Sequence, residues 1–163
     1  MTLDLQAANP DDIAYIMDVE RMPGYDRLVG RWEAPQHREA MADPGYRYFI
    51  ASEAGRRLGF VLVKGWGSPD HVTLIKRVAV EAPGGGIGSR MVSAALAEIF
   101  GATDAYRVWI GCFPDNLRAR RAYEKAGFIA EGVARGNAYF YGEHHDELIL
   151  AILRPEWEAR HRL

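Results

Sequence analysis

Four glycines in five positions, Gly84-Gly85-Gly86-Ile87-Gly88, separate two strongly patterned stretches and constrain this chain more than any other feature. Before them, Leu74 to Val80 carries β-branched Ile75, Val78 and Val80, and Pro83 closes the run because it has no N–H to give a sheet. This predicts a strand. After them, Ile87, Met91, Val92, Ala95, Leu96 and Ile99 recur at three- and four-residue spacing, which predicts a helix with one apolar stripe that continues to Phe100. A helix that starts directly at a glycine turn aims its free first-turn N–H groups and the positive end of its dipole outward. No side chains stand in the way. Phosphate or pyrophosphate suits such a place. A tight connection without a ligand suits it equally well on this stretch alone.

The familiar nucleotide motifs do not fit the glycines. A dinucleotide fingerprint needs glycine at the first, third and sixth positions. Counting from Gly84 the sixth residue is Ser89, and counting from Gly86 it is Met91. Asp104 stands near the distance of a ribose-binding acid, but it precedes the next apparent strand instead of ending it. The phosphate loop of nucleoside triphosphatases requires a lysine after its last glycine, and Ser89 follows Gly88.

A second motif lies further on, Asn116-Leu-Arg-Ala119-Arg-Arg-Ala-Tyr123-Glu-Lys-Ala-Gly127-Phe128. Taken with Val78-Ala79-Val80 and the glycine turn, in this order and at this separation, it closely resembles the GNAT superfamily of acetyl-CoA-dependent N-acetyltransferases. The resemblance covers most of the chain and is strongest between Leu74 and Phe128. Lys76-Arg77 and the ending Ile152-Leu-Arg-Pro155-Glu-Trp157 look most like the branch that contains ribosomal-protein N-terminal acetyltransferases, which also holds many small-molecule enzymes. The family usually places Arg or Gln where this chain has Pro83, so weaker side-chain anchoring of the carrier is expected, with binding retained through the backbone.

The resemblance implies that two central strands splay apart and admit acetyl-CoA. Main-chain groups of Val78, Ala79 and Val80 would pair with the pantetheine amides as an added strand does. Gly84, Gly85, Gly86, Ile87, Gly88 and Ser89 would hold the pyrophosphate, and Asn116 would touch the carrier. Asn116, Ala119 and Tyr123 share one helical face. Each has a plainer reading, Asn116 as a helix cap and Tyr123 as core. As in many GNAT enzymes, Tyr123 would give a proton to the departing thiolate. A phenol near pKa 10 giving its proton to a thiol near 8.5 is uphill by roughly 2 kcal/mol, so a hydrogen bond contributes as much as full transfer. A backbone N–H by Val78 would serve the oxyanion. The acceptor amine must first lose a proton. The central strand offers His71, Thr73 and Lys76 for this, and no glutamate before Glu81; water could relay the proton.

The acceptor side is expected between the first two helices, at Tyr25 and Asp26, and opposite them at Tyr141 and Glu143, where aromatics and acids suit a cationic amine. A solvated turn is the equal alternative. Neighbours His144 and His145 point to opposite faces of an extended chain and make no metal site, so no metal is expected. Arg118, Arg120 and Arg121 read as an exposed helix face, from which one could reach the carrier's 3′-phosphate.

Composition bounds the rest. The 163 residues suffice for one domain spanning 1–163, 48% hydrophobic and 26% charged, with a net charge of −2 that gives no reason to expect nucleic acid as partner. No run approaches a membrane span and no signal-peptide pattern opens the chain. Cys112, the single cysteine, excludes an internal disulfide, fits a cytoplasmic setting and reads as a small buried hydrophobe. The element order predicts an α/β (α+β) fold: a mixed, mostly antiparallel sheet with splayed middle strands and helices on both faces. In it, Tyr46–Ser52 and Leu58–Lys64 form a hairpin, and an irregular aromatic segment joins two late strands at Phe128–Val133 and about Asp146–Leu153. The expected function is acetyl transfer from acetyl-CoA to a primary amine of a small molecule or a peptide α-amine. A non-catalytic acyl-CoA sensor is the alternative, a nicotinamide-dinucleotide oxidoreductase is more distant, and the family allows a homodimer.

Overall fold

The computed structural model describes residues 2–23 and 31–162. Seven strands form one sheet in the order β1-β2-β3-β4-β5-β7-β6. They are β1 (Asp4–Ala7), β2 (Tyr46–Glu53), β3 (Arg56–Lys64), β4 (Val72–Val80), β5 (Arg107–Cys112), β6 (Ile129–Phe140) and β7 (Glu143–Leu153). Every neighbouring pair is antiparallel except β4 and β5. Among the described residues the α-helices are α1 (Ile13–Glu20), α2 (Ala34–Ala42), α3 (Ile87–Ala102), α4 (Leu117–Ala126) and α5 (Arg154–Arg160).

Alternation along the strands divides the core between the two faces of the sheet. On one face Phe49, Ala51, Val61, Val63, Ile75 and Val80 meet the α3 stripe of Met91, Val92, Ala95, Leu96 and Ile99. The stripe is fully buried, and each large side chain in it contributes about 1.5–3 kcal/mol of transfer free energy. On the other face Tyr48, Ile50, Phe60, Leu62 and Ala79 meet Ile16 and Val19 of α1 and Ala40 of α2. Helices therefore do cover both faces.

Local chemistry explains the boundaries. Asn9 caps a 3₁₀ turn at Pro10–Asp12 that leads into α1, its Oδ1 accepting from Asp11 N–H at 2.8 Å, while Asp12 Oδ2 accepts from Asn9 N–H at 2.9 Å. Gly127 ends α4 in the left-handed conformation. At the end of α3, the Arg154 guanidinium donates to the carbonyls of Phe100, Thr103 and Ala105 at 2.8–3.0 Å, which satisfies acceptors a helix terminus leaves open.

One expectation needs correction. The late strands are not joined by an irregular aromatic segment. β6 and β7 form one long hairpin closed by Tyr141-Gly142, both at positive φ, with Phe140 opposite Glu143. Register shifts at Ala130/Gly132 and Ala134/Ala138 interrupt the two-residue alternation and hide the strand from a periodicity reading. The segment after Leu153 is a helix, α5, with Pro155 in its first turn and Trp157 packed on Phe100 at 5.1 Å between ring centroids.

Candidate active-site cleft

The parallel ladder between β4 and β5 runs from Val72↔Arg107 to Ile75↔Ile110 and stops there, although β4 continues to Val80. Past that point β5 pairs only on its other side, where Gly111 and Cys112 lie opposite Ile149 and Leu148 of β7. The cause is visible in β4. Val63 of β3 faces Ile75 while its neighbour Leu62 faces Arg77, so Lys76 is an extra, bulged residue. The bulge bends β4 away from β5 and turns Lys76 and Arg77 toward the same ring, Trp32, at 5.6 and 4.3 Å from its centroid. The central strands thus splay.

A cleft of about 570 Å³ occupies the gap. Its walls include Trp32, Val78 and Lys76 on one side, Gly111, Cys112 and Tyr123 on the other, and Tyr139 to Tyr141 of the β6–β7 hairpin. Of the expected site residues, Val78, Tyr123 and Tyr141 line it. Tyr123 is half-buried on α4 and packs on Phe128 at 6.3 Å between centroids. Ala79 faces the α1–α2 core, and the Val80 side chain joins the α3 core. Asn116 caps α4, its Oδ1 accepting from Ala119 N–H at 3.2 Å, and so helps place the helix that carries Tyr123. Glu143 is not a lining residue. It stands exposed at the hairpin tip with its carboxylate 4.0 Å from His145 Nε2. Tyr25 and Asp26 lie outside the described residues.

Where β4 ends, Gly84, Gly85 and Gly86 all take positive φ, and Gly86 sits in the left-handed conformation as the N-cap of α3. These three are exposed, and a Cβ at Gly84 or Gly85 would meet nothing within 4 Å. A Cβ on Gly86 would lie 3.9 Å from Lys125 Nζ, so a cation from the end of α4 stands over the turn. Open backbone, a helix N-terminus and a cation fit a pyrophosphate. Gly88 and Ile87 are half-buried, and the Ser89 side chain is buried, so only its backbone faces the turn.

The charged group that the sequence reading did not single out is Glu147. Its carboxylate lines the cleft from β7 by lying across the backbone of β5 at Gly111. A Cβ at Gly111 would collide with the Glu147 carboxyl group and come within 2.7 Å of its Cγ, so glycine is what gives this carboxylate room. Asn137 Nδ2 donates to Glu147 Oε1 at 2.7 Å and fixes its orientation. Of the other groups on or near β4, Lys76 lines the cleft beside Trp32, and the rest are engaged or outside it. Thr73 Oγ1 donates to Gly65 O at 3.1 Å, His71 is exposed at the start of β4, and Glu81 accepts from Tyr15 Oη at 2.6 Å. Cys112 also lines the cleft. Burial, then the nearby Glu147 charge, pushes its thiol up to about 11, so it remains protonated at neutral pH.

Behind Trp32, four elements contribute one buried polar cluster. Glu20 and His37 are fully buried. Glu20 Oε2 accepts from Arg77 Nη1 at 2.7 Å, Glu20 Oε1 lies 2.8 Å from His37 Nε2, and His37 Nδ1 lies 2.7 Å from Tyr48 Oη. Burial lowers the Arg77 pKa, and the Glu20 charge opposes that shift. Among the described residues no group of three or more His, Cys, Asp or Glu side chains could hold a metal ion, and no helix is long and apolar enough to cross a membrane.

Comparison with known proteins agrees with this architecture. The "Probable N-acetyltransferase YjcK" of Bacillus subtilis (strain 168) is 39% identical over 75 residues, 46% of this chain and 41% of that protein. YdaF of the same organism, provisionally named a ribosomal N-acetyltransferase, is 33% identical over 82 residues, 50% of this chain and 45% of its own length. The matches therefore span less than half of either relative. A mutant of the spermidine N-acetyltransferase SpeG from Vibrio cholerae superposes with a TM-score of 0.82 at 19% identity, covering 99% of both chains. AAC(6')-Ib in complex with Parmomycin and AcetylCoA gives 0.82 at 20% identity, again covering 99% of both. At such identities these two show a shared fold. The model of the Acetyltransferase (GNAT) family matches residues 13–128, and the chain belongs to that family.

Proposed function

We propose that this chain is an acetyl-CoA-dependent N-acetyltransferase acting on a primary amine of a small molecule or a peptide N-terminus. The observation that carries this reading is the parting of β4 from β5 after Ile75 and Ile110, which places Val78, Tyr123 and Glu147 around one cleft. Acetyl-CoA supplies the electrophilic thioester carbonyl. The turn from Gly84 to Ser89 holds the pyrophosphate through its N–H groups, with Lys125 adding a cation. The main chain of Val78 to Val80 pairs with the pantetheine amides, and the Val78 N–H supports the carbonyl oxygen as charge develops on it.

Glu147, steered by Asn137, takes the proton that the acceptor ammonium must lose, directly or through water. The free amine nitrogen then forms the new C–N bond as the C–S bond breaks. The Tyr123 hydroxyl donates to the departing thiolate. The exposed, aromatic hairpin tip at Tyr141 borders the acceptor's entrance, where its ring lies 5.9 Å from the Arg31 guanidinium carbon. The reading extends to the whole of 1–163 as one domain working in the cytoplasm, with Cys112 kept as a thiol; a homodimer is compatible with it.

The test is thiol release from acetyl-CoA across a panel of amines, amino acids, polyamines and short peptides, with Tyr123→Phe alongside. Removing the hydroxyl alone lowers kcat about 10²–10⁴-fold and leaves acetyl-CoA affinity within about twofold. Tight acetyl-CoA binding with no turnover on any acceptor would favour a sensor. Unchanged turnover in the variant would remove Tyr123 from the chemistry.

A further inference from the structure

Among the described residues that line the cleft, Lys64, Lys76 and Arg77 stand opposite the carboxylate of Glu147. Arg77 is already matched by Glu20, at 2.7 Å in the buried cluster. Lys76 and Lys64 have no ion-pair partner among the described residues. The polar contact Lys76 makes is with the face of the Trp32 ring at 5.6 Å. Resting on the acetyltransferase reading, we propose that the accepted amine carries an anionic group of its own, a carboxylate or a phosphate, which docks on Lys76 and Lys64 while its ammonium end docks on Glu147.

Three observations support this arrangement. The β4 bulge falls at Lys76 itself, at the point where β4 leaves β5, and such a bulge re-aims a side chain that would otherwise alternate with its neighbours. Gly111 and Asn137 hold Glu147 in place, so a negative end already stands across from the positive one. Finally, desolvation first, and then the charges of Arg77 and Lys64, hold the Lys76 ammonium below the ordinary lysine range, while Glu147 acts against them. A bound anion would relieve that strain, and a polyamine would add to it. A half-buried, unmatched ammonium is costly unless a partner arrives. A ligand with both charges satisfies both ends of the cleft, and a polycation satisfies one.

The experiment measures kcat/KM for thiol release with three short acceptors, n-propylamine, β-alanine and phosphoethanolamine, and with the longer polycation spermidine. The expected result is that β-alanine or phosphoethanolamine exceeds n-propylamine by about tenfold or more, with spermidine lowest. Which of the two anionic amines leads identifies carboxylate or phosphate as the docked group. In Lys76→Met the ratio of the leading anionic amine to n-propylamine falls about tenfold. A ratio between two substrates is insensitive to how much of the variant folds. Spermidine equal to or above the anionic amines, or a ratio unmoved by Lys76→Met, would overturn the inference and leave the acetyltransferase reading standing. No thiol release from acetyl-CoA with any of the four, or with the wider amine and peptide panel, would instead overturn that reading and the inference with it.

Discussion

In the glycine turn after β4 the chain presents backbone N–H groups, whereas on the walls of the cleft it presents side chains from β3, β4, β5, β7 and α4. The turn needs very little sequence: three residues at positive φ, a helix beginning at Ile87, and one cation from Lys125. The walls need many separate agreements. A side chain at position 111 would displace the Glu147 carboxylate from where it lies, Asn137 of β6 holds its orientation, and the β4 bulge falls at Lys76. Backbone recognition depends on local conformation, and side-chain recognition depends on tertiary convergence. The first tolerates drift elsewhere in the chain, and the second allows the acceptor to be changed by altering single wall residues.

This contrast can be broken or sharpened by substitution. The largest effect is expected on the wall side, at the buried cluster. Arg77→Met leaves Glu20 buried with His37 and the partly exposed Arg21 as its remaining partners. Removing one member of a buried pair costs about 3 kcal/mol or more, which chemical denaturation would read as a lowered midpoint with unchanged slope. An Arg77→Met protein as stable as the parent would mean that the cluster is not what ties α1 and α2 to β4. A smaller effect, confined to the donor, is expected at the turn. Gly86→Val forces a β-branched residue into φ of 75° and places a side chain toward Lys125. Acetyl-CoA affinity then falls about tenfold by titration, while the ranking of amines stays as in the parent. A changed amine ranking would show that turn and wall are not separable.

The same contrast decides what was legible in the sequence. The strand, glycine turn and helix from Leu74 to Phe100 were legible because period and punctuation agree over a long stretch. The Tyr46–Lys64 hairpin was legible for the same local reason. The β6–β7 hairpin was obscured by two register shifts, and the short helix α5 after Leu153 was not read at all. At the site, Val78, Tyr123 and Tyr141 line the cleft, the first two within the motifs and Tyr141 in the β6–β7 turn. Glu147 escaped because its neighbours along the chain, His144 to Asp146, say nothing about Gly111, which is its real support. The sequence reading preferred Glu143, which shares the hairpin but stands at its exposed tip. The Glu20–His37–Tyr48–Arg77 cluster draws on four separate elements, and no spacing rule connects them. Glu20 and His37 each look like an ordinary polar residue on a surface helix until the fold buries them.

Hydrogen–deuterium exchange would show whether acetyl-CoA occupies the gap where β4 parts from β5. Amide exchange would be followed by mass spectrometry with and without acetyl-CoA. The account predicts slower exchange on binding in two segments, Lys76–Val80 and Gly84–Ser89, with α2 and the β1–β2 edge unaffected. Binding that protects neither segment would contradict it, because acetyl-CoA would then be held somewhere other than the gap between β4 and β5 and the glycine turn beyond it.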